Sequence, residues 1–354
     1  MLPTNLAPIR RRLLGWYEKN KRDLPWRRTS DPYAIWISET MLQQTQVKTV
    51  LPYYEKFLRA FPTIAALDRA PLRQVLRAWS GLGYYRRAEN LKKSAAELIQ
   101  RHGGTMPRYY EKLRALPGVG DYTAGAILSI AFQQRYPAVD GNARRVLGRL
   151  FDLAEAKQLR LAAEQLVPKS HPGNFNQAIM ELGATICLSA EPLCLLCPLA
   201  SHCRWHSGNG TAKNLTRQKK LNFSNVTWPL AIIRRGEKIL LRRRAKGGLL
   251  AGMWELPGGE KPACVGVLIS LRRHLQEIGT ISYSPRGIGE IRHNITYRRI
   301  RAPLFLLEVG VNENIDLPAS HWRWIAPAAL QEYPVSSMTL KAARVLASYE
   351  KSSF

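Results

Sequence analysis

Three groups of residues in this chain have types and spacings that can do chemistry. The first is Leu116-Pro117-Gly118-Val119-Gly120-Asp121-Tyr122-Thr123, followed further along by Asp140-Gly141-Asn142. Gly118 and Gly120 are spaced for a tight hairpin ahead of small, helix-prone residues, so backbone N–H groups gather at a helix start, which is a ready anion site. Asp140 closes an apolar run, where a carboxylate is held for chemistry rather than for solubility. An anion-holding hairpin followed by a poised carboxylate points to a reaction on a phosphate polymer. The second group is a pair of isolated acids. Glu39 is the only acid in YAIWISETMLQQTQV, and Glu181 stands alone in FNQAIMELGATIC. An ionised carboxylate is costly in so apolar a setting unless its raised pKa is put to use, as in a general acid. The third group is Cys187, Cys194, Cys197 and Cys203, with intervals of six, two and five residues. Four thiolates in a compact loop hold either a tetrahedral zinc or an iron–sulfur cluster; a single short interval leans towards 4Fe-4S.

Positioning these groups requires helices. From Pro8 to His102 apolar residues recur three and four apart, with start signals at Asp31-Pro32 and Ala70-Pro71, which predicts several helices joined by short turns. The segment after Asp31-Pro32 is apolar on nearly every side and is expected at the centre. Gln43, Gln44, Thr45 and Gln46 then form a polar run whose amides could reach base edges or fill a gap in a base stack. In GLGYYRRAEN, residues 81–90, Tyr84 and Tyr85 lie beside Arg86 and Arg87 on a glycine turn, a combination suited to stacking and phosphate contact. Residues 143–186 return to helix. The polar, aperiodic stretch 207–227 reads as a linker. Beyond it come short β-like runs at 228–233, 238–243, 298–309 and 321–325, with one clear helix at 265–279. The expected division is therefore residues 1–206, a linker at 207–227, and a small α+β domain at 228–354.

Composition names the partner class. Among 354 residues, 53 Lys and Arg against 26 Asp and Glu give a net charge of +27, far beyond what solubility needs. The excess is present in both halves and in the segment between them, so each is expected to face the same polyanion. An apolar content of 45% argues against a non-enzymatic basic protein of the ribosomal kind. No apolar run approaches a membrane span, and the amino terminus lacks a signal peptide's apolar core, so an intracellular, DNA-associated protein is expected. Four of the five cysteines share one loop, which in a reducing compartment favours a metal site over disulfides.

Taken together and in order, the hairpin, Asp140 and the cysteine quartet resemble the endonuclease III superfamily of DNA glycosylases. SETMLQQTQV, GLGYYRRAEN, VDGN and MELGATIC resemble its adenine DNA glycosylase (MutY) branch across nearly all of residues 8–206. The resemblance implies a mainly α helix-hairpin-helix domain with a 4Fe-4S cluster on the four cysteines. It implies that Glu39 protonates a flipped adenine and that Asp140 meets the oxocarbenium-like sugar, supported by Tyr122 and Asn142. Trp26, Arg27 and Glu181 would line the adenine pocket, Gln44 and Tyr84 would enter the DNA stack, and Gly118, Gly120 and Thr123 would hold the strand. Bifunctional relatives carry a lysine two residues after the second hairpin glycine; Tyr122 stands there, so excision without strand scission is expected.

The carboxy-terminal domain resembles a Nudix fold, most visibly at GLLAGMWELPGG. Aligning Gly258 and Gly279 to the Nudix box puts Cys264, Arg273 and Gln276 where metal-binding acids are expected and leaves only Glu277. Recognition, rather than pyrophosphate hydrolysis, is what remains. The family reads 8-oxoguanine with a His-x-Phe-Ser-His loop; this chain has His293-Asn294-Ile295-Thr296-Tyr297, so Ile295 and Tyr297 depart from that pattern. The expected activity is excision of adenine opposite 8-oxoguanine, and more weakly opposite guanine, in duplex DNA, by a monomer. Two rivals share the same features: a thymine- or uracil-removing mismatch glycosylase of the same fold, and a non-catalytic lesion-binding protein.

Overall fold

The computed structural model describes residues 3–208, 223–245, 252–278, 284–295, 297–310, 315 and 317–352. The chain divides into two compact units, one of residues 1–70 and 86–220, the other of residues 71–85 and 221–354. The division expected from the sequence was contiguous; these units are not.

The first unit is helical: α1 (Ala7–Asn20), α2 (Pro32–Leu42), α3 (Val47–Ala60), α4 (Ile64–Arg69), α6 (Arg86–His102), α7 (Tyr110–Arg114), α8 (Asp121–Ile130), α9 (Gly141–Phe151), α10 (Ala156–Leu166) and α11 (Pro172–Thr185), with α5 (Leu72–Ala78) belonging to the second unit. The α2 start follows from Asp31, whose carboxylate accepts from the Tyr33 and Ala34 N–H groups at 3.0 and 3.3 Å, with Pro32 preset for the first turn. Every residue from Tyr33 to Met41 is buried, as a helix apolar on all sides demands. Asp140 caps α9 in the same way, its Oδ1 accepting from the Ala143 N–H at 2.6 Å.

Between α7 and α8 the hairpin turns at Gly118, which has φ +78° and whose missing Cβ would lie 2.8 Å from Asn90; both facts exclude a side chain. Gly120 is extended, with open space where its Cβ would be, so the exposed start of α8 is uncovered there. A second glycine sets the packing. A Cβ on Gly183 would sit 2.6 Å from Asn142, and its absence lets α11 press against the first turn of α9. Leu13, Leu147, Phe175 and Leu182 tie α1, α9 and α11 into one apolar core.

The second unit is an α/β domain of strands β1 (Ser224–Thr227), β2 (Leu230–Arg235), β3 (Lys238–Arg243), β4 (Trp254–Glu255), β5 (Arg286–Ile295), β6 (Arg298–Glu308) and β7 (Trp322–Ile325), with α12 (Val267–His274) and α13 (Ser337–Ser352). β1 and β2 follow one another along one edge of β6 in parallel, while β5 pairs its other edge antiparallel. Met338, Ala342 and Leu346 of α13 cover one face of the sheet; Leu271 of α12 packs with Ala231, Ile233 and Leu307 on the other. The runs expected at 228–233, 238–243, 298–309 and 321–325 are strands. β1 falls at the end of the stretch expected to be a linker, 207–227, where its short polar run pairs with β6. β5 was not anticipated, because Gly287, Gly289 and its exposed charges break the apolar alternation, and neither was α13.

Residues 71–85 join this unit because Ser80 Oγ donates to the Val335 carbonyl at 2.7 Å and the Tyr85 hydroxyl to the same oxygen at 3.3 Å. Tyr85 is buried by that contact. It is therefore not a stacking residue alongside Tyr84, as the glycine turn had suggested. Among the described residues, no helix is long and apolar enough to cross a membrane.

Candidate active site

Glu39 sits near the end of α2, 5% exposed, among residues buried on all sides. Tyr122, in the first turn of α8, donates its hydroxyl to Glu39 Oε2 and also approaches Met180 Sδ at 3.4 Å. Burial pushes the Glu39 carboxyl up to about 7, the Tyr122 hydrogen bond opposes this, and the charge of Asp140 adds to it. A carboxyl in that range is half protonated at neutral pH, which is the state a general acid needs. The Tyr122 hydroxyl is driven well above 10 by burial and by both carboxylates, so it acts only as a neutral donor.

Asp140 is also raised by burial, but the Ala143 and Asn142 amides at the α9 start and the Arg145 guanidinium favour its charged form. Asn142 is fixed in turn: its Oδ1 accepts from Arg145 Nη2 at 2.8 Å, and the same guanidinium donates to the Gly183 and Cys187 carbonyls at 2.6 and 2.7 Å. The site thus brings a carboxyl raised to about 7 together with a second that burial raises and local donors oppose, two carboxyls in different settings of the kind glycosidic cleavage employs.

Glu181 on α11 has the opposite setting. It is 1% exposed; Oε1 accepts from Arg22 Nε at 2.7 Å and from the Arg22 N–H at 3.1 Å, and Oε2 accepts from Arg22 Nη2 and Arg27 Nη2, both at 2.7 Å. Burial alone would raise it, but the two guanidiniums hold it at about 2. Trp26 is buried edge-on against Tyr54, with ring centres 5.3 Å apart.

Gln44 is exposed and left-handed at φ 57°, directly after α2. In the second unit, Tyr84 is left-handed at φ 48° and 44% exposed. Both are non-glycine residues held in the left-handed region on exposed turns. Thr123, in contrast, is buried, and its hydroxyl accepts from Gln43 Nε2 at 3.2 Å. Its side chain is thus turned to the interior, and only its main chain remains for the strand-holding role expected of the hairpin.

Two arginines were not anticipated in this role. Arg22 lies in the charged run Lys21-Arg22-Asp23, which reads as solvated surface, and nothing local marks it. Arg87, expected to contact phosphate, is buried instead: Nη1 donates to the Thr40, Met41 and Gln43 carbonyls at 2.9, 2.7 and 2.5 Å, and Nη2 to Thr45 Oγ1 at 3.1 Å. It satisfies the carbonyl end of the helix that carries Glu39 and shapes the turn that carries Gln44. The signal was helical phase: Arg86 is exposed, and its neighbour one position on points inward.

Cys187, Cys194, Cys197 and Cys203 line one small cavity of about 30 Å³ together with Arg149, Trp205 and His206. Arg149 ties the loop down, donating to the Leu188 and Ser189 carbonyls at 2.6 and 2.9 Å and approaching Cys187 Sγ at 3.4 Å. Among the described residues, no group of three or more His, Cys, Asp or Glu is arranged to hold a single metal ion. In the second unit, His293 on β5 is half-buried, its imidazole lowered below 6.5 by burial and by Lys341. Tyr297 is 52% exposed at the tip between β5 and β6, and Thr296 lies outside the described residues.

Comparison with known proteins agrees with this geometry. Residues 37–169 match the HhH-GPD superfamily of base excision DNA repair proteins, and residues 230–344 match the NUDIX domain. The chain is 36% identical to the adenine DNA glycosylase of Rattus norvegicus over 96% of its length and 78% of that protein, and 34% identical to that of Homo sapiens over 96% and 74%. A thermostable thymine-DNA glycosylase superposes with TM-score 0.55 at 31% identity, covering 57% of this chain and 97% of that one. A trapped endonuclease III–DNA covalent intermediate superposes with TM-score 0.51 at 25% identity, covering 59% and 99%. The thymine-specific protein thus matches only the share of the chain that a glycosylase domain fills, whereas the adenine-specific relatives span both domains. With an HhH-GPD region, a NUDIX domain and relatives 34–36% identical over 96% of its length, this chain belongs to the adenine DNA glycosylases.

Proposed function

We propose that the protein excises adenine opposite 8-oxoguanine or guanine by acid-assisted cleavage, with Glu39 as the acid and Asp140 as the carboxylate that meets the sugar cation. The observation that carries this reading is the Glu39 carboxyl, buried, raised to about 7 and hydrogen-bonded by Tyr122. Protonated Glu39 gives its proton to the imidazole side of the flipped adenine. The bond between base and sugar then breaks with its electron pair leaving on the neutral base. Asp140 stays ionised and stabilises the resulting oxocarbenium ion, to which water adds while its proton passes to the Glu39 carboxylate. Tyr122 offers no amine to the sugar, so the strand remains intact.

Trp26 and the Arg27–Glu181 pair supply the wall of the adenine pocket. Gln44 and Tyr84, strained and exposed, are the residues that enter the stack when the base leaves it. The amides at the α8 start, uncovered at Gly120, hold a phosphate of the flipped strand. His293, Thr296 and Tyr297 read the opposite base, a reading supported by the exposure of Tyr297 at the hairpin tip. The absence of a Nudix acid set at Cys264, Arg273 and Gln276 favours recognition over hydrolysis in that domain.

The four cysteines fit a 4Fe-4S cluster. They share one cavity, and burial raises Cys197 to about 11 while burial and the neighbouring thiols raise Cys194 and Cys203, so a cationic cluster is what would hold them as thiolates. Such a cluster would fasten the loop after α11 against Arg149. Single-turnover excision from duplexes carrying A opposite 8-oxoguanine, A opposite G, and T or U opposite G tests the whole reading. Adenine release that is lost in Glu39→Gln is expected; release of thymine or uracil instead, or a Glu39→Gln protein of full activity, would overturn it.

A further inference from the structure

The solvent face of the hairpin formed by β5 and β6 is an unusual construction. Along β6, outward positions alternate with core positions. Toward the end of the strand, Phe305 and Leu307 point to the face covered by α12 and pack there. At its start the same face carries Arg299 and Arg301, both exposed and without a covering helix. The register places Arg301 directly opposite Arg292 of β5, and Arg299 opposite Asn294. On the other edge of β6, Thr227 of β1 is level with Arg301 and Asn225 with Arg299. Two rows thus cross three strands: Thr227, Arg301, Arg292 and Asn225, Arg299, Asn294.

Like charges directly opposite on an antiparallel pair destabilise it. Among the described residues one acid moderates them: Glu290 lies 3.2 Å from Arg301 and 3.9 Å from Arg292, and Arg292 is 90% exposed. Arg299 lies over the Phe223 ring at 4.5 Å, held flat against the surface. Other arginines of this unit are spent on local partners, Arg234 on Glu308 and Glu350, Arg244 on Glu255, Arg298 on Glu260. A face that keeps three guanidiniums beside one carboxylate, interleaved with Asn and Thr donors, is arranged for a ligand with several anionic oxygens at regular spacing.

We infer that this face, centred on Arg292, Arg299 and Arg301, is a phosphate-backbone binding surface for duplex DNA that adjoins the His293–Tyr297 tip and is insensitive to base identity. Guanidinium forks match phosphate oxygens, and Asn225, Asn294 and Thr227 add neutral donors of the kind that fix register without reading sequence. The inference needs only that the protein binds DNA; it does not rest on recognition of 8-oxoguanine.

The test uses the full chain and the triple variant Arg292→Ser, Arg299→Ser, Arg301→Ser, with affinity for a 30-base-pair duplex measured by anisotropy across a salt series. Each lost phosphate contact should flatten the dependence of log affinity on log salt by about 0.9, so the slope should fall by about 2 to 3 and affinity at low salt by at least about 10-fold. The loss should be equal for undamaged and 8-oxoguanine-containing duplexes. Single-turnover excision at saturating protein should be unchanged, which separates failure of this surface from failure of the catalytic reading. The matching triple lysine variant should keep the slope. An unaltered slope and affinity in the serine variant would overturn the inference. So would a loss confined to the 8-oxoguanine duplex, or an equal loss in the lysine variant.

Discussion

Glu39 and Glu181 look alike along the chain, each a lone acid in an apolar helix, and both are almost completely buried. Their chemistry is opposite. Glu39 faces a neutral hydroxyl and a second carboxylate and is raised to about 7; Glu181 is gripped by two guanidiniums and held at about 2. Burial is common to both, so burial does not decide the role of an acid. What decides it is the partner: a phenol leaves the proton available, whereas arginine removes any reason to bind one. One carboxyl is left able to give up a proton near neutral pH, the other is tied to Arg22 and Arg27.

The comparison can be broken at either acid. The largest effect is expected from Glu39→Gln or Asp140→Asn, each of which should lower single-turnover adenine excision by at least about 10³-fold while duplex affinity, read by gel shift, stays within a few-fold. The two acids also have opposite linkage to pH. The folded Glu39 carboxyl has a pKa above its usual 4.5, so the folded state binds the proton more tightly and stability is lost as pH rises from about 4.5 through about 7. Glu39→Gln should therefore be more stable than the parent at pH 8 by about 1–3 kcal/mol, and indistinguishable from it below pH 4.5, in chemical denaturation. Glu181 lies below its usual value, so its contribution is present above about 4.5 and is lost only as pH falls through about 2.

Removing its partner has a different consequence. Arg22→Met should cost about 2–4 kcal/mol at neutral pH, somewhat less than for a fully buried pair because Arg22 is part exposed. Arg87→Met, which unties the end of α2, should slow excision about 10- to 100-fold at saturating protein, with Arg87→Lys restoring part of it; equal rates would show that Glu39 needs no such anchor. The smallest and sharpest change is Tyr122→Phe. Loss of a hydrogen bond that favours the Glu39 anion should move the alkaline limb of the excision profile upward, by less than about one pH unit.

Much of this was legible beforehand, for physical reasons that can be named. Asp31-Pro32 and Asp140-Gly141 are helix starts because a short carboxylate satisfies free N–H groups, a purely local matter. The all-round apolar pattern of Tyr33 to Met41 placed Glu39 inside. Gly118 was required by a positive φ and a close neighbour, and the four cysteines gather round one cavity. Tyr85 and Arg87 were misplaced because each adjoins a residue of the same type that does face solvent, and sequence spacing cannot say which of two neighbours turns inward. β5 was hidden by glycines and by arginines lying opposite one another, a pattern that no periodicity of one strand reveals.

The sequence by itself determined the helical glycosylase domain, the second α/β domain, the polyanionic partner class, the burial of Glu39 and the helix start at Asp140. These depend on residue type, local capping and hydrophobic period, all of which are carried by neighbouring residues. Only the tertiary structure decided that Glu39 is raised to about 7 and Glu181 held at about 2, that Arg22 and Arg87 serve the interior, and that residues 71–85 pack with the carboxy-terminal half. Each of those outcomes depends on a partner distant in the chain. A charge in a low-dielectric interior is governed by what lies within a few ångströms of it, wherever along the sequence that neighbour comes from.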